Sequence, residues 1–349
     1  MELVGTVKGP KIVSNKMKIL VTGGSGFIGT NYIELLSKTA DVEFLNLDKR
    51  MPRNKKHERF WKECNILDAD QLRKIIKDFS PTHIVHLAAQ TGTDIKNLEA
   101  FAANIEGVKN LLLAAAAVPS VKHIIFTSSL LVCKMGYVPK HDTDYQPSTM
   151  YGESKVRGEK IVRTAKNLPY AWTIIRPISI WGPWFAEPYK NFFKAIGHGW
   201  YFHIGSGHYK RSLGYVENTV HQIHQLLIAP LERTNKKTFY VADDQPADLY
   251  EIANIIRETI GARKIYRIPF WLAKAAALFG DICKTAGWHN VPLTSFRLNN
   301  ILTEYIFNMT PIMQISGPLP YDLRTGIGEL FSGCMKWERS NYLKDIIQN

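Results

Sequence analysis

Tyr151 and Lys155 are the residues whose types and spacing first suggest chemistry. They stand four apart in a stretch with helical spacing, so both side chains share one helix face. A phenol is a weak base at neutral pH, and we expect the neighbouring ammonium group to lower its pKa. Ser129 follows an apolar stretch and offers a hydroxyl that can hold a substrate oxygen. Such a set can exchange a proton with a carbinol while a nicotinamide takes or gives a hydride.

A glycine-rich turn near the start of the chain supplies the matching cofactor site. Gly23, Gly26 and Gly29 follow an apolar run at 18–21 and precede a helical pattern. This context lets a pyrophosphate approach the backbone at a helix N-terminus. Asp48 ends the next apolar run, where an acid accepts hydrogen bonds from the adenosine ribose and repels a 2′-phosphate. The pattern favours NAD, while the basic residues at 49–50 leave NADP open.

The elements that must position these residues alternate along the chain. Strand patterns at 59–66, 83–89 and 121–127 are separated by helical ones, including a long helix over about 97–118. Alternation of this kind predicts an α/β fold with a doubly wound parallel sheet of the Rossmann type. Ligands of such sheets lie at the carboxyl ends of the strands, which selects 22–29, 48, 86–91 and 127–131.

On these motifs, the sequence from Met17 onward resembles the extended short-chain dehydrogenase/reductase family, the group of nucleotide-sugar epimerases, dehydratases and ketoreductases. The resemblance implies that the catalytic residues are Ser129, Tyr151 and Lys155. It implies cofactor contacts at Gly23, Gly26, Phe27, Ile28, Gly29, Asp48, Lys49, Asn65, Ile66, Leu87, Ala88, Ala89, Asn104, Tyr151 and Lys155. It implies substrate contacts at Gln90, Ser128, Ser179 and Arg211, with the arginine on a nucleotide diphosphate.

Departures from the family pattern narrow the function. Leu130 and Leu131 stand where the 4,6-dehydratases carry an Asp-Glu pair, so we expect no dehydration. Ser179 replaces the usual Asn, and Cys133 replaces the usual Tyr. The leading interpretation is an NAD-dependent epimerase that acts on a nucleotide-activated sugar through a transient keto-sugar.

Three other interpretations stay open at this point. An NAD(P)H-dependent 4-ketoreductase of a nucleotide keto-sugar would need a stoichiometric hydride source. A non-catalytic dinucleotide-binding sensor would share the fold, although the intact catalytic set argues against it. A steroid-type dehydrogenase is suggested by the apolar stretch 269–279, for which we expect a helix packed inside the smaller domain rather than on a membrane surface.

The same patterns predict the domain organisation. We expect a flexible arm over 1–16, an NAD(P)-binding domain over 17–180 that also takes in 212–245, and a smaller, discontinuous C-terminal substrate domain mainly within 181–349.

The composition limits the classes of binding partner that we expect. The net charge is +13, but no aromatic residues interleave with the basic cluster at 49–57, so we expect anionic small molecules rather than nucleic acid. The histidines and cysteines show no metal-ligand spacing, and we expect reduced thiols and no metal. We further expect a cytoplasmic homodimer, paired through the helices at 97–118 and 151–166, with no membrane partner.

Overall fold

A seven-stranded parallel sheet forms the centre of the molecule. The computed structural model describes residues 16–185, 189–288, 291 and 293–332. The predicted arm therefore lies outside the described residues, apart from Lys16. The strands are β1 (Met17–Thr22), β2 (Val42–Asp48), β3 (Trp61–Glu63), β4 (His83–His86), β5 (His123–Thr127), β6 (Ala171–Pro177) and β7 (Lys237–Val241). Their order in the sheet is β7-β6-β5-β4-β1-β2-β3, and every neighbouring pair is parallel.

The described helices are α1 (Phe27–Lys38), α2 (Ala69–Phe79), α3 (Ala102–Ala116), α4 (Met150–Thr164), α5 (Tyr189–Gly197), α6 (Val216–Ile228), α7 (Leu231–Thr234), α8 (Leu249–Ile260), α9 (Phe270–Thr285), α10 (Ser295–Leu302), α11 (Thr310–Ser316) and α12 (Leu323–Ser332). Side-chain caps fix several starts: the Asp68 carboxylate accepts from the Gln71 amide before α2, and the Asp248 carboxylate accepts from two amides of α8.

Helices cover both faces of the sheet. One apolar cluster joins the sheet to α1, α6 and α11, and a second joins it to α2, α3 and α4. The central strands contribute fully buried aliphatic residues to these clusters, as Val85 and Ile84 of β4 do on opposite faces. Strands of this kind need cover on both sides. The predicted doubly wound sheet is therefore confirmed.

Two predicted elements are shorter than expected. The strand expected over 59–66 spans only Trp61–Glu63. A single 3₁₀ turn at Glu99–Phe101 precedes α3, which ends at Ala116, so the helix expected over 97–118 is trimmed at both ends. In both cases the apolar pattern continues into buried loop residues such as Cys64 and Val118, which pack on the sheet without regular hydrogen bonding.

The chain beyond β6 builds a smaller body from helices and short strand pairs. Residues 180–181 pair with 214–215, 203–204 pair with 267–268, and 210–211 pair with 247–248. No helix of the described residues is long and apolar enough to cross a membrane.

The helix over 269–279 was predicted to pack inside the smaller domain, and this prediction is wrong. The helix forms as α9, but its buried residues are the small ones, Ala273, Ala277 and Gly280. Its large apolar side chains face outward, including Trp271 at 69% exposure and Phe279 at 66%.

Candidate active site

A cleft of about 580 Å³ lies at the carboxyl ends of β1, β2 and β4, which is the edge that the strand pattern selects. Its volume is in the range of small-molecule and cofactor sites. Twelve of the predicted cofactor residues line it: Gly23, Gly26, Phe27, Ile28, Gly29, Asp48, Lys49, Asn65, Ile66, Leu87, Ala88 and Ala89. Gln90, which was predicted to contact the substrate, and Thr127 at the end of β5 also belong to the wall.

The glycine turn brings the backbone close to the floor of this cleft. Gly23 has φ +77°, and a Cβ at this position would lie 2.4 Å from the backbone nitrogen of Ala88. Only glycine fits this conformation and this distance. Gly26 caps α1 without a side-chain acceptor, and the first turn of α1 carries no acidic residue. The amides at this helix N-terminus therefore offer a site for a phosphate group.

Asp48 is the last residue of β2 and lies beside the glycine turn. Its carboxylate accepts hydrogen bonds from the backbone amides of Ser25, at 3.1 Å, and Arg50, at 3.0 Å. These bonds fix the carboxylate beside the turn, where a ribose of a bound dinucleotide would present its hydroxyls. Lys49 and Arg50 follow it and are exposed.

The predicted catalytic residues meet where α4 begins and β5 ends. The hydroxyl of Thr149 accepts from the amide of Gly152 and starts α4, which carries Tyr151 and Lys155 on one face. The Lys155 Nζ donates to the carbonyl oxygen of Thr127 at 2.9 Å. Ser129 Oγ accepts from the Leu131 amide at 3.1 Å, which fixes it at the same edge.

Gly152 allows this close approach. A Cβ at Gly152 would lie 2.2 Å from the carbonyl oxygen of Leu131, so a larger residue would push α4 away from the Ser129 loop. The ring of Tyr151 lies beside the ring of Phe101, with 6.0 Å between centroids. The link from this set to the cleft is Thr127, which accepts from Lys155 and belongs to the cleft wall.

Burial has the largest effect on the pKa values of Tyr151 and Lys155. It raises the pKa of Tyr151, and a hydrogen bond with Ser129 opposes the rise. Burial also lowers the pKa of Lys155 to about 8, and the negative charge of Glu159 opposes this change. The prediction that Lys155 lowers the pKa of Tyr151 is wrong for this arrangement. The ammonium group stands 6.0 Å from the phenol ring centroid and is engaged by Thr127.

A buried ion pair between Arg176 and Glu159 of α4 was not predicted from the sequence. The Glu159 carboxylate accepts from Arg176 Nε and Nη2, both at 2.8 Å, and from the Tyr145 hydroxyl at 2.9 Å. Arg176 is the last but one residue of β6 and is fully buried. A signal was present in the sequence, because Tyr151, Lys155 and Glu159 recur every four residues and so share one helix face.

Two predicted contact residues lie behind the cleft wall. Asn104 donates to the Gln90 carbonyl and to Ser154 Oγ, and its oxygen accepts from the Gln90 amide. Its amide therefore holds the wall rather than pointing into the cleft. Ser128 lines a separate internal cavity of about 20 Å³ together with Lys155 and Glu159. Neither residue belongs to the wall of the large cleft.

Ser179 and Arg211 lie in the smaller body and contact the same tyrosine. Ser179 has φ +46°, a region that asparagine tolerates better than serine, and its hydroxyl bonds to the Tyr305 hydroxyl at 2.8 Å. The Arg211 guanidinium lies over the Tyr305 ring and donates to the carbonyls of Asn300, Ile301 and Thr303 at the end of α10. To bind a diphosphate as implied, Arg211 would have to exchange these carbonyls for phosphate oxygens.

In the described part of the chain, no group of three or more His, Cys, Asp and Glu side chains is placed to hold a metal ion. Cys64 and Cys133 are buried free thiols, and Cys283 is a partly exposed one. Cys334 lies outside the described residues.

Comparison with known proteins agrees with this geometry. A model described as the NAD dependent epimerase/dehydratase family matches residues 19–242. The N-acetyl-alpha-D-glucosaminyl-diphospho-ditrans,octacis-undecaprenol 4-epimerase of Escherichia coli O157:H7 is 26% identical over 320 residues, which cover 88% of this chain and 92% of that protein. UDP-glucuronate 4-epimerase 4 of Arabidopsis thaliana is 31% identical over 199 residues, which cover 52% of this chain and 45% of that protein.

Solved structures share the fold over nearly the whole chain. The UDP-glucuronic acid 4-epimerase of Bacillus cereus, in complex with UDP-glucuronic acid and NAD, superposes with a TM-score of 0.68 at 18% identity. The match covers 95% of this chain and 100% of that one.

Proposed function

Because the chain belongs to the NAD dependent epimerase/dehydratase family, we propose that it is an NAD-dependent 4-epimerase of a sugar activated by a nucleotide diphosphate. The predicted family resemblance is confirmed. The observation that carries the proposal is the hydrogen bond from Lys155 to Thr127, because Thr127 belongs to the wall of the cleft that the glycine turn and Asp48 line. This bond supports a catalytic role for Ser129, Tyr151 and Lys155. The epimerase relatives and the NAD complex of the Bacillus cereus enzyme support the reaction and the cofactor.

Each residue of the site has its own role in the proposed reaction. Residues of the cleft wall, among them Gly26 and Asp48, would hold NAD, which would supply reversible hydride chemistry at the ring carbon. Tyr151 takes the proton of the ring hydroxyl and gives it back to the keto oxygen. Ser129 holds that oxygen beside the phenol. Lys155 is fixed by Thr127 at the base of the site, and Glu159 raises the pKa of its amine.

Dehydration is excluded in this proposal. The family includes dehydratases, but elimination of water needs an acid and a base on the sugar. Leu130 and Leu131 stand in the turn after Ser129 and supply neither.

A sugar carried on a polyprenyl diphosphate is the second candidate substrate. The Escherichia coli relative named for such a substrate matches over 92% of its own length, whereas the plant UDP-glucuronate enzyme matches over 45%. The outward apolar side chains of α9 favour the same candidate, because a polyprenyl chain resides in a lipid bilayer. Both carriers present a diphosphate to the protein.

The test is turnover without added cofactor. Purified protein incubated with a UDP-sugar or a polyprenyl diphosphosugar is expected to form the 4-epimer with no net reduction. Tyr151→Phe should abolish turnover and keep dinucleotide binding, since it removes only the hydroxyl. The matched control is Tyr266→Phe, which should keep full activity, because Tyr266 is exposed and is not part of the cleft wall. Strict dependence on stoichiometric NADH or NADPH would instead identify a ketoreductase.

We also propose that the chain forms a homodimer through α3 and α4 and resides in the cytoplasm. Leu113 of α3 is 68% exposed and offers an apolar contact on this surface. Sedimentation equilibrium should give a dimer for the wild type and a monomer for Leu113→Glu. A wild-type monomer would contradict the pairing.

A further inference from the structure

α9 is built with its small residues inside and its large apolar residues outside. Ala273, Ala277 and Gly280 form the buried side. A Cβ at Gly280 would lie well inside the contact radius of the Leu293 carbonyl oxygen, so the helix packs tightly on the segment that leads to α10. The bulky side chains of the helix are thereby directed away from the protein. We propose that this outward face docks on the surface of an anionic lipid bilayer.

The outer apolar face consists of Trp271, Leu278, Phe279 and Ile282. At about 100° per residue, these four positions fall within an arc of about 100°. Their exposures are 69%, 52%, 66% and 64%. Single exposed apolar residues are ordinary, but four on one helix face form a patch that indicates an interaction site. Trp288, just beyond the helix, is also 59% exposed and has the amphipathic ring that favours the headgroup region.

The charge of the chain segment that carries this face indicates the partner. Between the end of α8 and the end of α10, over residues 261–302, the sequence contains a single acidic residue, Asp281. Its carboxylate accepts from the Ser295 amide and so is held toward α10. The basic residues of the same range are all exposed; they are Arg263, Lys264, Arg267, Lys274, Lys284 and Arg297. An apolar helix face among exposed cations is the pattern of a helix that lies in the interface of an anionic bilayer.

The same charges argue against a second copy as the occupant. A two-fold interface places the same surface against itself. Two copies joined through the outer apolar face would bring Lys274, which borders that face on the helix, toward its own equivalent, with one half-buried acid per copy to offset it. An anionic bilayer instead presents phosphate groups to this lysine, and opposite charges attract.

This inference revises the sequence-based expectation of no membrane partner, and it does not rest on the proposed reaction. α9 packs on α10 through Ala273, Ala277 and Leu298. Arg211, for which the family resemblance implies a contact with the substrate diphosphate, donates to the carbonyls at the end of α10. Bilayer binding is measured without turnover, so failure of either proposal leaves the other standing.

The test is flotation of the purified full chain with phosphatidylcholine vesicles that contain phosphatidylglycerol. We expect the wild type to float with these vesicles and much less with phosphatidylcholine alone. Trp271→Glu combined with Phe279→Glu should weaken binding about a hundredfold or more, because two large apolar side chains no longer enter the interface. Lys274→Gln should weaken it about fivefold, less so at high salt.

Ile228→Glu is the matched control, since Ile228 is an exposed aliphatic residue at the end of α6 with 47% exposure. It should float like the wild type, and all variants should keep the wild-type thermal unfolding midpoint. The proposal is overturned if the wild type stays with the soluble fraction at low salt, or if the Trp271→Glu, Phe279→Glu variant floats as well as the control. It is equally overturned if sedimentation shows a dimer that this double variant dissociates, because a second copy would then cover the face.

Discussion

Replacing Glu159 by Gln should cost the protein a large part of its stability. The Glu159 carboxylate receives two hydrogen bonds from Arg176, one from the Tyr145 hydroxyl and one from Arg163. The side chains of Glu159 and Arg176 are 2% and 0% exposed. An amide of the same shape keeps the packing but leaves the arginine cation buried without a counter-charge.

The expected loss is about 3–5 kcal/mol, the range for breaking a buried ion pair by removal of one partner. A domain with about 5–15 kcal/mol of stability would then be close to unfolding at ordinary temperature. The control lies on the same helix: Glu153 pairs with Arg157 at 3.0 Å, but their side chains are 35% and 51% exposed. Glu153→Gln should cost no more than about 0.5 kcal/mol.

Urea unfolding followed by far-UV circular dichroism measures both variants. Burial raises the pKa of Glu159, but the hydrogen bond and charge of Arg176 outweigh it and hold the pKa below the ordinary value of 4.5. A lowered folded-state pKa means that this stabilisation is present above about pH 4.5 and is lost on acidification through the folded pKa. Glu159→Gln should therefore lose part of the acid dependence. A loss within about 1 kcal/mol of the Glu153→Gln value would refute the reasoning.

Three further predictions concern the site. Asp48→Asn should shift the ratio of NAD to NADP affinity toward NADP by about tenfold, as measured by fluorescence titration, and an unchanged ratio would remove Asp48 from the ribose site. Gly23→Ala should abolish dinucleotide binding because its Cβ would meet the Ala88 nitrogen at 2.4 Å, whereas Gly328→Ala, with no atom within 4 Å of its Cβ, should bind normally. Lys155→Met should be inactive yet about 1–2 kcal/mol more stable at pH 7, because burial lowers the pKa of this amine to about 8. That gain should vanish as pH rises from about 8 to the ordinary amine pKa of 10.5, and a constant gain would contradict the titration argument.

The sequence by itself determined the sheet, the edge at which the cleft lies and the residues that we propose as the catalytic set. Gly23, Asp48, Tyr151 and Lys155 act through local geometry: a turn, a strand end and the four-residue repeat of a helix. Alternation of strands and helices then limits the topology to a few arrangements, and parallel strands bring their carboxyl ends to one edge. For these reasons predicted cofactor residues from four separate segments of the chain, at 23–29, 48–49, 65–66 and 87–89, line one cleft.

Only the tertiary structure decided which partners those side chains meet. The four-residue spacing places Glu159 on the same helix face as Lys155. It does not predict that Arg176, which belongs to β6, buries its guanidinium against the Glu159 carboxylate. Nor does it say that Arg211 binds the end of α10. The periodic pattern of α9 fixes its two faces, yet which face is buried depends on what packs against it, and the small residues Ala273 and Ala277 were the ones that fitted. Burial and partner choice are properties of the assembled chain, because desolvation and contact exist only once distant segments have come together.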